Sequence, residues 1–258
     1  MACTDQEYFV GNGDVLIRPV ADDCGDPTGG WFKLGDADTL SISNSQDFGD
    51  HFESQSGNRV RSARWRNSTT VDFTLAVQNI SIDNLVVLLQ GVDSGAVAAG
   101  SVVSEEVKFA YEGKWVYTAY PGITSVSVSN GNGSPATALT LNTDYTIDSR
   151  NGGIYIVSGS PNFVGDGSSL YVSYTHVGIE GAVEALAAGV QDWQIRFNGI
   201  NLNATNKPVI VTLKRAQINA TEELSLIGQD ITSLSFTGAV LPDTNNEFYE
   251  VVKSNAVA

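Results

Sequence analysis

The sequence predicts a mainly β protein, with a small β-sandwich inserted into a larger β domain that carries one flanking helix. Three observations predict it. Thr, Val, Ser, Ile and Tyr are prominent, and Gly, Asn and Asp interrupt them about every eight to twelve residues, as in chains of short antiparallel strands. Four segments alternate apolar with small polar side chains. Hydrophobic residues make up 42% and charged residues 17% of the 258, a balance that folds rather than stays disordered and is enough for one large or two modest domains.

In chain order, residues 39–43 set Leu40 and Ile42 against Thr39, Ser41 and Ser43. Residues 70–77 set Val71, Phe73, Leu75 and Val77 against Thr70, Asp72 and Thr74. Side chains on a strand point alternately to its two faces, so each segment has a core face and a wet face. Ser81 then precedes Ile82, Leu85, Val86 and Leu89, whose spacing gathers them on one side of a helix with Gly91 as the stop. An Ala-rich stretch, 180–188, is read as a second short helix between Gly181 and Gly189. Alternation returns over 209–218 and 233–240, where Leu234 and Phe236 oppose Ser233, Ser235 and Thr237.

Composition shifts near Gly100. Residues 102–176 hold six of the 29 acids, no Cys or Met, and tyrosines 111, 117, 120, 145, 155, 171 and 174, spread over short strands at 125–129, 144–148, 153–157 and 170–174. Turn signals at 130–133, 151–153 and 165–167 separate them. This predicts an inserted sandwich, 102–176, within a discontinuous domain formed by 1–100 and 177–258, with crossings at 95–101 and 177–181.

Charge and motifs exclude several functions. The 29 acidic against 14 basic side chains leave a formal charge of -15, which opposes tight, general binding to DNA phosphates. The longest aliphatic run, 85–89, is far short of the ~20 residues that cross a bilayer. Residues 1–10 lack the basic and apolar regions of a secretory signal, so synthesis and assembly in the cytoplasm are expected, with Cys3 and Cys24 as reduced thiols. His51 and His176 have no ligands at zinc spacing, and the chain has no Gly-x-Ser-x-Gly elbow, phosphate loop or His-Glu-x-x-His. The Gly-Asn-Gly units at 11–13 and 131–133 read as turns. Asp36 with Asp38, and Glu105 with Glu106, lack the calcium-loop ladder and read as solvated groups. Sequons at Asn67, Asn79, Asn132, Asn203 and Asn219 matter only in a secretory pathway. Neither enzymatic activity nor a cofactor or metal is expected.

The connection 44–66 is unusual. It begins acidic, with Asp47, Asp50 and Glu53, and ends basic, with Arg59, Arg61, Arg64 and Arg66. It fits an ordinary hairpin whose charges neutralise each other, a phosphate patch with only Trp65 to stack on a base, or an extended loop carrying both charges to a neighbouring copy. The last reading is favoured, since complementary charges fix register and orientation.

Several of these pieces together resemble a known family. The stretch Leu34-Gly-Asp-Ala-Asp-Thr-Leu-Ser-Ile-Ser is followed by Phe48-Gly-Asp-His-Phe-Glu-Ser-Gln-Ser-Gly, Arg59-Val-Arg-Ser-Ala-Arg, a Thr/Val strand and Asn84-Leu-Val-Val-Leu-Leu-Gln-Gly. With Phe197-Asn-Gly-Ile-Asn and the segments 209–216 and 224–241, this order resembles the major tail tube proteins of long-tailed bacteriophages, over about two thirds of the chain. The resemblance implies a tail-tube β-sandwich or barrel with one flanking helix and a long hairpin loop, six copies of which form a ring. Rings stack into the tube through which DNA is ejected. It implies that 44–66 bridges subunits and rings, that the partners are the chain itself, the tape measure protein and the tail tip and terminator proteins, and that the place is the virion tail, assembled in the host cytoplasm. The insertion 102–176 resembles the immunoglobulin-like decorations of some tails and sits better with a non-contractile, siphophage-type tail.

A stack of rings needs one heterologous contact that closes and another that does not. On this reading the polar strand faces line the bore, with Thr39, Ser41, Ser43, Thr70, Asp72, Thr74, Ser233, Ser235 and Thr237 as candidates and Lys214 as an exception. Such a wall lets DNA pass without holding it. The alternative is a virion decoration or adhesin that binds host-surface glycan through Trp115, Tyr117 and Tyr120.

Overall fold

The computed structural model describes residues 8–21, 26–54, 57, 59–131, 137–163, 165, 167–203, 207–221, 224, 227 and 233–254. Cys3, Cys24, Asn132 and Gly133 lie outside the described residues. The chain divides into two compact units, the first formed by Met1–Asp93 with Val183–Ala258 and the second by Ser94–Ala182. The protein is mainly β.

The first unit opens with β1 (Gly11–Pro19), β2 (Phe32–Lys33), β3 (Ala37–Glu53), β4 (Val60–Val77), α1 (Ile82–Leu88) and β5 (Val92–Asp93). The second contains β6 (Gly100–Ala110), β7 (Trp115–Tyr117), β8 (Ile123–Asn130), β9 (Thr137–Ala138), β10 (Tyr145–Asp148), β11 (Gly153–Ile156) and β12 (Ser168–His176). The chain returns to the first through β13 (Val183–Glu184), β14 (Asp192–Asn201), β15 (Lys207–Asn219), β16 (Leu234–Leu241) and β17 (Tyr249–Lys253).

One antiparallel sheet organises the first unit, in the order β2-β1-β14-β15-β16-β4-β3. The long strand β15 serves two partners: Arg215–Asn219 pairs β16, and Val209–Leu213 pairs β17. A register shift in the β14–β15 ladder lies between them, beside the ion pair of Arg215 with the buried Asp192. Alternation puts Val71, Phe73, Leu75 and Val77 of β4, and Leu234, Phe236 and Val240 of β16, into one core with Val15, Ile17, Ile195 and the helix residues Val87 and Leu88.

Helix α1 starts where its sequence signals it. The Ser81 hydroxyl accepts from the Asn84 backbone N–H at 3.2 Å, and Asp83 lies in the first turn, where the helix dipole favours a carboxylate. Asn84 is fully buried and donates to the carbonyls of Leu34 and Asn79, tying the helix to the β2–β3 connection. Its end differs from the expectation. Gln90 (φ 46°) takes the left-handed conformation, while Gly91 is needed for space, because a Cβ there would stand 2.5 Å from Val183 Cγ1. The predicted helix at 180–188 is absent. Val183 and Glu184 instead pair with Asp93 and Val92, and the N–H groups of Leu186 and Ala188 satisfy the carbonyls of Leu89 and Gln90 at the end of α1. Capping an existing helix outweighed the propensity of an Ala-rich run.

The second unit has a sheet in the order β6-β12-β8-β9 and another in the order β10-β11-β7. Both bury their inner faces in one core that includes Val107, Ile123, Val128, Leu170 and Val172 from the first and Val116, Tyr145, Ile154 and Ile156 from the second. Asp144 is its buried polar anchor. The carboxylate accepts from the Thr140 N–H at 2.7 Å, the Ser160 hydroxyl at 2.7 Å and the Asn162 side chain at 3.0 Å. Burial raises its pKa, but those donors together outweigh burial and hold the carboxyl below its ordinary value.

Candidate functional site

Two surfaces of the first unit concentrate the residues singled out by sequence. The first is the polar face of β3, β4 and β16. Register sets Ser41 opposite Thr74 and Thr74 opposite Thr237, while Ser43 faces Asp72 and Ser235 faces Ala76, itself opposite Thr39. Paired residues share a side of the sheet, so these side chains form one face and their apolar neighbours form the other. Thr39, Ser41, Ser43, Thr70, Asp72, Thr74, Ser235 and Thr237 are all exposed, and Ser233 is exposed just before β16.

That face continues onto β15 through Asn219, opposite Thr237, and Gln217, opposite Ala239. Ser45, opposite Thr70, extends it along β3. Sequence reasoning missed these three, although the period-two alternation runs through Ser45 and Gln217 alike. Asp72 is the one ionisable residue in this set of paired positions. Lys214, the exception, lies 3.9 Å from a carboxylate oxygen of both Glu247 and Glu250.

The second surface is the hairpin. The segment 44–66, expected as an extended loop, is mostly regular strand: β3 and β4 stay paired from Ala37 opposite Val77 out to Glu53 opposite Val60. Backbone pairing continues through the charged stretch because pairing needs no apolar alternation. From residue 43 to 53 and from 60 to 68 every residue but Gly49 is exposed, so these strands form a two-stranded arm of about 34 Å beyond the core of the first unit. At its base the Asn44 side chain donates to the Tyr249 hydroxyl at 2.8 Å.

The charges on this arm are partly satisfied within it. Asp50 takes Arg61 at 3.4 Å and Arg64 at 3.6 Å, and Asp47 accepts from Asn67 at 3.0 Å. The Arg64 guanidinium lies 3.9 Å from the Phe48 ring centroid, and that of Arg59 lies 5.6 Å from Phe52. Glu53 and Arg66 make no ion pair among the described residues. Sequence reasoning emphasised charge and missed the apolar content of the arm: Phe48, Phe52, Val60 and Trp65 are all exposed. Their scatter among charged residues concealed a common site.

Beside the arm, β3 carries a further unsatisfied feature. It spans 17 residues and ends the sheet, so along one whole edge it has no strand neighbour among the described residues. At the opposite end β2 covers only Leu16 and Ile17 of β1. A cleft of about 600 Å³ lies between β1 and the beginning of β3, with Phe9, Val15, Leu40, Ile42, Phe197 and Val211 in its walls.

Other residues considered for chemistry are dispersed. His51 is exposed on the arm, whereas His176 is buried in the second unit and stacks on Tyr120 with ring centroids 4.2 Å apart. Glu105 accepts from the Ala119 N–H and the Tyr174 hydroxyl, and Glu106 from Ser169. Among the described residues, no three His, Cys, Asp or Glu side chains gather where they could hold a metal, and no helix is long and apolar enough to cross a membrane.

A family model described as "Protein of unknown function UCP028589" matches residues 8–250. No curated protein matches the chain.

Proposed function

We propose that this chain, which belongs to the family of unknown function UCP028589, is a structural subunit that assembles with copies of itself into stacked hexameric rings, forming a phage tail tube that conducts DNA. The projecting arm carries this reading. A two-stranded ribbon is marginal in water by itself, and this one also exposes two phenylalanines and a tryptophan. A neighbouring copy that covers it removes both problems, and a contact between unlike surfaces propagates from copy to copy.

Two further features support the same reading. A long unpaired edge invites uncontrolled pairing unless another chain occupies it, and β3 is such an edge. The face of β3, β4 and β16 around Ser41, Thr74 and Thr237 is rich in hydroxyls, with Asp72 among them and neither a basic nor an aromatic side chain at the candidate positions, so as the wall of a bore it offers DNA neither an ion-pairing nor a stacking partner. The resemblance to tail tube proteins supplies the ring number, the tape measure protein as the enclosed partner, the tail tip and terminator proteins as end partners, and the virion tail as the place.

Electron microscopy of the purified chain, alone and with arm residues 46–69 replaced by a two-residue turn that joins the paired Ser45 and Thr70, tests it. The intact chain forms rings or hollow filaments, and the shortened chain stays monomeric and folded. Filaments formed equally well without the arm would overturn the reading.

A further inference from the structure

We propose that the outer face of the three-stranded sheet in the second unit is a binding site for a neutral saccharide, with Trp115 and Tyr117 as its stacking platform. The inference is independent of the tube reading, since it rests on the other unit. In β7 the middle residue, Val116, points into the core, which turns Trp115 and Tyr117 outward, 47% and 59% exposed. Register adds Tyr155 of β11 opposite Trp115, then Thr146 of β10 opposite Tyr155, on the same outer face. Tyr155 braces the indole, with ring centroids 5.3 Å apart and planes tilted by 51°.

Gly153 makes the platform possible. It lies opposite Tyr117, and a Cβ there would stand 3.0 Å from Trp115 Cε3 and 3.2 Å from Tyr117 Cε1. Both rings therefore lean over the same bare backbone, and any side chain would push them apart. Tyr120, grouped with them from sequence, is elsewhere: it is half-buried and stacked on His176.

The dimensions and chemistry select the ligand. Three strands of three or four residues give a face of roughly 14 by 12 Å, under about 200 Å². A stable protein interface needs about 800 Å² per partner, so this patch is too small to hold a protein by itself. One or two sugar rings fit it. A pyranose has an apolar C–H face for the aromatic rings and a rim of hydroxyls. The hydroxyls of Tyr117, Tyr155 and Thr146, which make no hydrogen bond among the described residues, are donors and acceptors for that rim. Asp148, opposite Gly153 in the row of Tyr117, is the charged residue of this outer face, and a carboxylate disfavours an anionic sugar there.

The test is calorimetric titration of the full chain with chitohexaose, cellohexaose and maltohexaose, each up to about 10 mM, a range that detects the weak affinities of small platforms. The expected result is saturable binding of at least one, weakened about tenfold or more by Trp115→Ala and by Tyr117→Ala and abolished by Gly153→Val, with each variant melting like the parent. Absence of binding to all three oligosaccharides overturns the proposal. Undiminished binding by Tyr117→Ala overturns it as well, whether or not the Trp115 variant folds.

Discussion

Removing the indole from the arm should cripple assembly while leaving the subunit intact. Trp65 is 53% exposed, and an indole side chain offers at most about 250 Å² for burial, so about 130 Å² remains in solvent until a neighbour covers it. At about 25 cal/mol per Å², that area stabilises a subunit contact by about 3 kcal/mol. Each 1.4 kcal/mol is roughly tenfold, so Trp65→Ala should raise the critical concentration for polymerisation by about 100-fold. The monomer loses little, because a change at an exposed site away from caps and core shifts stability by about 0.5 kcal/mol or less. Sedimentation of polymer over a concentration series gives the first quantity, and thermal melting of dilute monomer gives the second. An unchanged critical concentration for Trp65→Ala would refute the reasoning, because it would leave the exposed ring unburied in the polymer.

Other perturbations separate the remaining parts of the account. Reversing Arg59, Arg61 and Arg64 to Glu should block stacking, yet it also removes both internal partners of Asp50; Arg66→Glu is the sharper probe, lowering polymer yield at low salt with an unchanged melting point. Replacing Ser41, Thr74 and Thr237 with Arg, three positions joined across one row of the sheet, should give tubes that retain DNA in a salt-dependent way, measured by co-sedimentation, whereas parent tubes release it. Phe73→Ala, in the core of the first unit, should cost about 3–5 kcal/mol in urea unfolding. The Asp144 carboxyl is held below its unfolded value near 3.9, so its stabilisation is complete above that value and is lost as pH falls through the lower folded one; calorimetry should show a smaller loss of melting temperature from pH 7 to pH 3 in Asp144→Asn than in the parent.

The readable parts of the fold were those in which one residue decides one contact. Alternation in β4 and β16 identified both their buried and their polar faces, and Ser81 marked the start of α1 because its hydroxyl satisfies a backbone N–H directly. The order of the large sheet was not readable, since β1 lies beside β14 and β4 beside β16, pairings between segments far apart in the chain. The full length of the arm was hidden because β pairing there runs through charged residues, and the false helix at 180–188 arose because propensity ignores the carbonyls that this segment caps. The saccharide platform was half visible. Trp115 and Tyr117 are two apart on one strand, but Gly153 and Tyr155 join them only through the ladder between β7 and β11.

The most direct test of the central claim is electron cryomicroscopy of the polymer at a resolution that locates side chains. The account predicts a closed six-fold tube whose inner wall carries Thr39, Ser41, Ser43, Thr70, Asp72, Thr74, Ser233, Ser235 and Thr237, with Phe48, Phe52 and Trp65 of each arm buried against a neighbouring copy. A polymer with that polar face on its outside and the arms free in solvent would contradict it, as would a chain that stays monomeric even when seeded by a tail tip.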